Sequence, residues 1–318
     1  MPTTRNPRRG SLQFWPRRRA KREYARLRSN PKKYKGLQAF PGYKVGMTHV
    51  QYLDTFKTSL TKNETISTPC TIIECPPIKI FSVRFYKRSY LGLKVSKEIR
   101  VVKGDKFTNR RIKPMKKDNS FPETLEEDVK EIRVCIITQP SKTGLEKKKP
   151  EIFEVFLGGG LEEQFNFVKD NINKEISLLD VFKEGQIIDL HGVTKGRGFQ
   201  GVVKRHGVKT KRHKSEKGTR HALAGSEGMM RVMYTSPRTG KHGYHLRTQY
   251  NNWILKILEK PEFKPFEHYG IPKNPCVLVK GSVQGPYKRI ITMSVPMRPV
   301  FEQKHAPEIK NINKVKTN

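Results

Sequence analysis

Residues 191–251 constrain the fold more than any other stretch of the chain. They contain 14 Lys or Arg residues against two acids, Glu216 and Glu227, with six histidines, ten glycines and few large apolar side chains. A segment of this composition lacks the side chains for a core of its own. Its cations require counter-charge, and its glycines allow the backbone to approach a surface closely. We therefore expect this stretch to lie against a polyanion.

The net charge of the whole chain indicates the same class of partner. Its 318 residues include 65 Lys plus Arg against 29 Asp plus Glu, and the net charge of +36 far exceeds what solubility requires. A chain of this length has room for one large or two medium domains with a sizeable core. An anionic membrane would be the competing polyanion, but the sequence has no run of 18 apolar residues, no signal peptide and no basic helix with a clean apolar face. We expect nucleic acid as the partner and no membrane.

The cysteines and the first residues indicate the compartment. Four cysteines do not make a disulfide framework, and the start MPTTRNPRRG is too polar for secretion, so we expect a reducing, cytoplasmic location. Cys70 and Cys75 are separated by four residues and no C-x-x-C pair exists, so buried cysteines within strands are favoured over a zinc site. Five histidines could ligate a metal, but neighbouring cations oppose a dication, and we prefer hydrogen bonding to RNA or stacking. They are His206, His213, His221, His242 and His245.

The N-terminal arm, residues 1–35, is the second basic segment. It holds 13 basic residues and one acid, Glu23, and its arginines alternate with aromatic residues. Guanidinium groups grip phosphates while rings stack on exposed bases, so this mixture suits RNA, although a solvated disordered tail remains the alternative. The candidate RNA-binding residues of the arm are Trp15, Arg17, Arg18, Arg19, Lys21, Arg22, Arg26 and Arg28.

Between and around these segments the sequence predicts many short strands punctuated by turn residues. A helix is predicted from about Leu161, with Glu162 and Glu163 in its first turn, where the helix dipole favours anions. Ser177 to Asp180 resembles a capping box that opens a short helix. The predicted strands are 45–53, 70–74, 78–86, 132–138, 152–157, 186–190, 253–258, 276–283 and 287–295, with a possible hairpin at 91–102.

This pattern favours a mostly β fold, a barrel or sandwich rather than a parallel α/β sheet, with an α+β insertion. Strands on both sides of residues 191–251 make that stretch a tethered loop. The expected organisation is a basic RNA-binding arm at 1–35, a discontinuous β-barrel at 36–102 and 186–300, an inserted lobe and linker at 103–185, the long basic loop at 191–251 and a polar tail at 301–318.

Four segments carry a resemblance to a known family. SLQFWPRRRA (11–20), GLQAFPGYKVGMTHV (36–50), HGVTKGRGFQGVVKRHG (191–207) and GYHLRTQYN (243–251) together resemble the archaeal and eukaryotic form of the large-subunit ribosomal protein L3 family. The resemblance implies a barrel of the type found in translation elongation factors, an inserted lobe, and two extensions that penetrate large-subunit (23S-type) rRNA. It also implies an early assembly role, neighbouring ribosomal proteins as partners, no catalysis and no cofactor.

On this resemblance, residues 191–251 are the internal loop that approaches the peptidyl-transferase centre. Where the family carries a loop-tip tryptophan in a G-x-W-x-P-x-R-V pattern, this chain reads GSEGMMRV (225–232), with Glu227 at the tryptophan position. A carboxylate cannot stack as an indole does, so we expect different chemistry at the tip. The candidate RNA-binding residues of the loop are Lys195, Arg197, Lys204, Arg205, His206, Lys211, Arg212, His213, Arg220, Arg231, Lys241, His242, Tyr244, His245 and Arg247.

Three other functions were weighed against RNA scaffolding. Gly196, Gly198 and Gly201 match G-x-G-x-x-G, but the residues that follow show no helical apolar period, so a dinucleotide cofactor is disfavoured. An RNA-modifying enzyme using that glycine run is the main alternative, and a chromatin-type binder of duplex DNA is a weaker one because no DNA-binding motif is present. If RNA scaffolding involves ten phosphate contacts, log K for RNA binding should fall with log salt concentration with a slope of about −7 to −9.

Overall fold

The chain divides into two compact units, which we call the basic unit and the β unit. The basic unit comprises Met1–Arg22 and Val193–Leu246, and the β unit comprises Glu23–Gly192 and Arg247–Asn318. The structure, a computed structural model, describes residues 7–28, 34–56, 58–101, 105–113, 121–122, 124–126, 128–211, 214, 231–299 and 306–313.

Strand is the main secondary structure of the described residues. They also contain two α-helices, α1 (Leu161–Asn171) and α2 (Val202–His206), and 3-10 turns at Leu12–Phe14, Thr108–Arg110 and Pro140–Lys142. The strands are β1 (Gly36–Leu37), β2 (Ala39–Leu53), β3 (Thr65–Glu74), β4 (Ile78–Ser89), β5 (Gly92–Arg100), β6 (Val129–Ile137), β7 (Ile152–Gly158), β8 (Glu175–Ile176), β9 (Ile187–Val193), β10 (Gly196–Gln200), β11 (Gly240–Gly243), β12 (Leu246–Leu258), β13 (Cys276–Lys280), β14 (Ile290–Ser294) and β15 (Ile309–Ile312).

A seven-stranded sheet forms the larger part of the β unit. Its order is β14-β9-β12-β13-β3-β2-β15, and β14 also pairs with β2, so that Ile291 lies opposite both Gly192 and Gly42. The first four residues of β13 are all buried, as expected for an apolar run covered on both faces. Fully buried Phe40, Tyr43 and similar side chains make this sheet part of one continuous apolar core.

The second sheet has the order β1-β7-β6-β4-β5, with β8 paired to β4, and carries α1. Phe165 and Val168 are the buried apolar residues of α1, and Glu163 accepts a hydrogen bond from the Gly160 N–H (3.1 Å) at its start, which confirms the predicted helix. The buried Gln164 side chain accepts a hydrogen bond from the Ile132 N–H of β6 (3.1 Å), fixing the helix on the sheet.

The predicted strands all contain observed strands, because apolar and β-branched residues mark them locally. Strand pairing differs from the expected domain division in one respect. The division assigned β4 and β5 to the barrel segment 36–102, but they form the second sheet, where β4 pairs with β5 and with β6. The hairpin considered at 91–102 is β4 and β5 joined at Tyr90 and Leu91, since Ser89 pairs with Gly92.

Two further segments differ from the predictions. The Ser177 N–H donates to the Asp180 carboxylate (2.8 Å), yet only a turn follows, because Leu178 and Phe182 are both drawn into the core and the chain soon enters β9. The predicted polar tail contains β15, which pairs with β2 and places Ile309 and Ile312 against the core. Two isolated isoleucines are too weak a signal to predict a strand.

Candidate RNA interface

The basic unit is built on a two-stranded sheet of β10 and β11. Gly196 pairs with Gly243, and Phe199 pairs with Lys241. Gly243 has a φ of +75°, and a Cβ there would lie 2.1 Å from the Lys195 carbonyl oxygen, so only glycine permits this approach of the two strands. After β10, the helix α2 runs to His206 and ends at Gly207, which adopts the left-handed conformation.

The N-terminal arm is hydrogen-bonded to the loop segments of this unit. The Ala20 N–H donates to the Tyr244 carbonyl oxygen (2.7 Å), and a ring nitrogen of His245 lies 2.8 Å from the Arg18 carbonyl oxygen. The Arg17 guanidinium donates to the Arg205 carbonyl oxygen (3.0 Å). Hydrogen bonds to backbone carbonyl oxygens therefore hold together two segments that are more than 170 residues apart in sequence.

Ring contacts reinforce the union of arm and loop. The Trp15 and His206 rings are stacked, with centroids 6.1 Å apart and planes at 13°, and the Tyr234 ring meets Trp15 edge-on at 6.1 Å. The guanidinium carbon of Arg17 lies 5.6 Å from the Trp15 ring centroid, and that of Arg19 lies 5.1 Å from the Tyr244 ring centroid. These are stacking and cation–π geometries.

These contacts correct two sequence-based expectations. The stretch was expected to have no core of its own, yet the side chains of Val202, Val208, His206 and His245 are buried. The arm covers two of them, since Trp15 stacks on His206 and the Arg18 carbonyl oxygen bonds to His245. The glycine run was expected to precede no helix, yet α2 begins at Val202, which turns its side chain inward. At five residues, α2 is too short for a dinucleotide-binding βαβ unit.

The charge of the basic unit has one sign. Seven Lys or Arg residues lie in residues 7–22, seven in residues 193–211 and 214, and three in residues 231–246, while these described segments contain no Asp or Glu. The Arg205 guanidinium instead donates to the Arg238 carbonyl oxygen (2.8 Å). Such a surface concentrates positive potential and attracts a polyanion.

The field of these cations acts on the buried titratable groups. Burial, and then the nearby Arg17 and Arg205 guanidinium groups, lower the pKa of His206 below its ordinary value. Burial and Arg197 lower the pKa of His242 in the same direction. Both rings are therefore neutral at physiological pH, which suits them to stacking and hydrogen bonding and not to phosphate neutralisation.

The structure places most of the predicted candidates within the basic unit. Arg26, Arg28 and Arg247 belong to the β unit, and Arg212, His213, Arg220 and the tip residue Glu227 lie outside the described residues. Trp15, Arg17, Arg205, His242, Tyr244 and Arg247 are half-buried, and His206 and His245 are buried. The exposed candidates are Arg18, Arg19, Lys21, Arg22, Arg26, Arg28, Lys195, Arg197, Lys204, Lys211, Arg231 and Lys241.

Several candidates were missed by the sequence reasoning. Phe199 and Tyr234 are 73% and 76% exposed on the basic unit, where their rings are open to stacking partners. Arg8 and Arg238 are exposed cations, and the Arg8 guanidinium donates to the Thr235 carbonyl oxygen (2.6 Å). The signal that selected Trp15, an aromatic residue between cations, was present for Phe199 beside Arg197 and could have found it.

Other kinds of site find little support in the part of the chain that the structure describes. All four cysteines are buried and free, and three lie within strands, as predicted. Within the described ranges, no cluster of three or more His, Cys, Asp or Glu residues could hold a metal ion. The helices found there are too short or too polar to cross a membrane.

Comparison with known proteins gives a consistent match over the whole chain. The family model described as "Ribosomal protein L3" matches residues 1–317. The "Large ribosomal subunit protein uL3" of Archaeoglobus fulgidus is 42% identical over 305 residues, covering 92% of each chain. The proteins of the same name from Methanocaldococcus jannaschii and Methanothermobacter thermautotrophicus are 43% and 39% identical, each covering 96% of both chains.

Proposed function

This chain belongs to the ribosomal protein L3 family, whose members are structural proteins rather than enzymes, and we propose that it binds and organises rRNA as a structural constituent of the large ribosomal subunit. The observation that carries the proposal is the acid-free charge of the described basic unit. Its partner is large-subunit (23S-type) rRNA in the cytoplasmic ribosome, with other large-subunit proteins as neighbours.

The proposed mechanism is scaffolding. Exposed cations such as Arg197 and Lys241 neutralise phosphates, while the rings of Phe199 and Tyr234 stack on unpaired bases. Arg17 and Arg205 act differently, because their guanidinium groups are engaged with backbone carbonyls. The Arg17 bond fixes the arm to the loop, and the Arg205 bond joins two segments of the loop. The exposed cations thus contact RNA, and the arginines bonded to backbone carbonyls stabilise the surface that carries those cations.

The fold proposed for the β unit is a translation-factor-like barrel. Support comes from β14, which pairs with β9 at one end of the sheet order and with β2 near the other, a connection that brings the two ends of the sheet together. The loop between β9 and β12 is proposed to reach toward the peptidyl-transferase centre, and binding of arm and loop to rRNA is proposed to occur early in subunit assembly.

Crosslinking on purified large subunits with nucleotide-resolution mapping tests the proposal. We expect residues 204–241 and the arm to crosslink to internal rRNA segments. Crosslinks confined to surface helices, with none from residues 204–241, would contradict the loop assignment. Recovery of the chain as a soluble, substoichiometric protein would instead favour an RNA-modifying enzyme.

A matched pair of variants separates RNA contact from general charge. Arg197→Ala with Lys241→Ala removes two exposed cations of the basic unit, and we expect the affinity for rRNA fragments to fall about tenfold or more, since each phosphate contact contributes to counterion release. Lys142→Ala is the control, because the Lys142 ammonium is paired with Glu175 in the β unit (2.6 Å). A loss in log K for Lys142→Ala that is half that of the double variant would show that only net charge matters, because the control removes one charge and the double variant removes two.

A further inference from the structure

The hairpin of β4 and β5 ends in a surface that the scaffolding role leaves unused. Among the described residues β5 is the last strand of its sheet, and residues 92–98 are exposed one after another. Alternate residues of an edge strand turn their backbone N–H and C=O groups away from the neighbouring strand. We call residues 88–98 the edge hairpin.

The edge hairpin exposes apolar side chains in a continuous run. Tyr90 and Leu91 at its turn are 95% and 83% exposed, and Leu93 and Val95 of β5 are 45% and 38% exposed. Leu93 and Val95 are two residues apart on one strand, so both project from the same face. An apolar run beside an unpaired strand edge promotes association with other chains, and a protein that stays soluble has such an edge covered or guarded.

The charged side chains at the edge hairpin indicate the chemistry of the partner that would cover it. Arg84 pairs with Glu98 (3.1 Å), and Lys87 pairs with Asp128 (3.1 Å) and Glu126 (3.3 Å). Among the described residues no ion pair is recorded for Arg88, Lys94 or Lys97. These cations lie beside the apolar run and complement an acidic partner, whereas they would repel a second copy of the same edge.

The mixture of charge and apolar surface favours protein over RNA as the occupant. The described basic unit carries cations alone, but next to the hairpin Arg84 and Lys87 are already paired with carboxylates. Arg88, Lys94 and Lys97 are then few cations for a polyanion. The side chains of Leu91, Leu93 and Val95 offer nothing to a phosphate or a base edge. They suit the alternating side chains of an added strand.

We propose that β5 is a docking edge for an extended segment of a neighbouring protein that carries acidic and apolar side chains and adds to the sheet as a further strand. The inference rests on the proposed function in that the neighbour is a protein of the same subunit. Backbone hydrogen bonds along residues 92–98 provide the attachment, the apolar run provides buried area, and Lys94 and Lys97 select for acidic side chains.

Photo-crosslinking in assembled large subunits tests the inference. A benzophenone amino acid replaces Leu91 in the full-length chain, and separate chains carry it at Tyr234 of the basic unit or at Leu60, which is fully exposed on a turn outside the hairpin. We expect position 91 to crosslink to an acidic, apolar segment of one ribosomal protein, position 234 to crosslink to rRNA, and position 60 to give no crosslink to that segment. The double variant Lys94→Glu/Lys97→Glu should reduce the crosslink from position 91 about fivefold and leave that from position 234 unchanged.

Each other outcome is decisive. Crosslinks from position 91 to rRNA alone, to a second copy of this chain, or to nothing overturn the docking edge while position 234 still reports rRNA and the proposed function stands. Loss of the rRNA crosslink from position 234 contradicts the proposed function and removes the basis of the inference with it. An unchanged yield in the double variant excludes selection by charge and overturns the acidic character assigned to the partner.

Discussion

The two units differ in the sign of the charged side chains that hydrogen bonds to the backbone hold in place. In the β unit, the fully buried Glu74 carboxylate accepts hydrogen bonds from the Lys273 and Asn274 N–H groups (2.9 Å each) and from the Tyr269 hydroxyl. In the basic unit, the Arg17 and Arg205 guanidinium groups donate to backbone carbonyls. The β unit thus encloses an anion and also a cation, since the buried Lys44 ammonium donates to the Val283 and Gly285 carbonyl oxygens (2.6 and 3.1 Å). The described basic unit holds cations alone.

The exposed charges of the two units differ as well. This difference indicates that the β unit can fold by itself and that the basic unit depends on a partner. Cations of the β unit commonly face carboxylates, as Lys142 faces Glu175, but the described basic unit has no carboxylate to offer. The β unit also has an extensive apolar core, whereas the basic unit buries only a few side chains. We infer that counter-charge from rRNA completes the basic unit.

The largest expected effect is the salt dependence of RNA binding. With about ten phosphate contacts, raising the salt concentration from 50 to 200 mM should weaken rRNA binding roughly 10⁴-fold. The β unit should remain folded, because its core does not depend on exposed ion pairs. Filter binding and circular dichroism over the same salt series measure the two effects. Loss of the strand signal at the salt concentration that releases RNA would remove the distinction between the units.

Replacing the buried Glu74 should destabilise only the β unit. Glu74→Ala leaves the Lys273 and Asn274 N–H groups without an acceptor, and we expect the free energy of unfolding to fall by roughly 4 kcal/mol. Denaturant unfolding measures the loss. Glu74→Gln keeps one acceptor oxygen and should lose about half as much. Equal losses for the two variants would show that the hydrogen bonds matter less than the charge.

Acid should weaken the β unit through His191. Its ring nitrogens lie 2.9 Å from the Ser294 hydroxyl and 3.0 Å from the Thr248 hydroxyl, and burial lowers the pKa of His191 to about 4. Because the unfolded chain takes up the proton first, stability present above pH 6.5 is lost as the pH falls toward 4, by about 3 kcal/mol.

Unfolding measured at pH 7 and pH 4.5 for the natural chain and His191→Gln isolates this contribution. The glutamine amide can still bond to the two hydroxyls but does not titrate. Burial raises the pKa of the nearby Asp189, which opposes the effect of His191 in both proteins and cancels in the difference. The same pH dependence in both proteins would rule out His191 as the source.

The smallest expected effect is in the basic unit. Trp15→Ala removes the stack on His206 and the edge contact with Tyr234, at a cost of about 1–2 kcal/mol to the union of arm and loop. Amide exchange in β10 and β11 should accelerate about tenfold, while amides of β13 stay protected. Leu12→Ala, at a half-exposed residue of the same arm, is the control and should change neither.

The strands could be predicted from sequence because their signal is local. Runs such as CVLVK in β13 mark a buried strand whatever it pairs with, and Phe165 and Val168 mark α1 by their spacing. Strand pairing has no local signal. The sequences of β4 and β5 do not indicate that these strands join β6, and the sequence of β14 does not indicate that it pairs with both β9 and β2. Those partners are chosen by packing over long sequence separations.

For the candidate interface, charge and composition selected mostly residues that the structure shows exposed, and their contact with RNA stays a prediction. They could not predict that arm and loop form one unit, because the contacts that join them are a Trp15–His206 stack and arginine-to-carbonyl bonds without any periodic pattern. For the same reason Arg17 and Arg205 were assigned to RNA contact alone, although their guanidinium groups bond to this chain's own backbone.

The loop leaves the seven-stranded sheet from β9, which ends at Val193, and returns in β12, which begins at Leu246. These strands are hydrogen-bonded neighbours, so the two ends of the loop start side by side. The entropy of closing a loop grows only slowly with its length. Changes in loop length that leave β10, α2 and β11 intact therefore cost the seven-stranded sheet little, so the loop can vary on an unaltered scaffold.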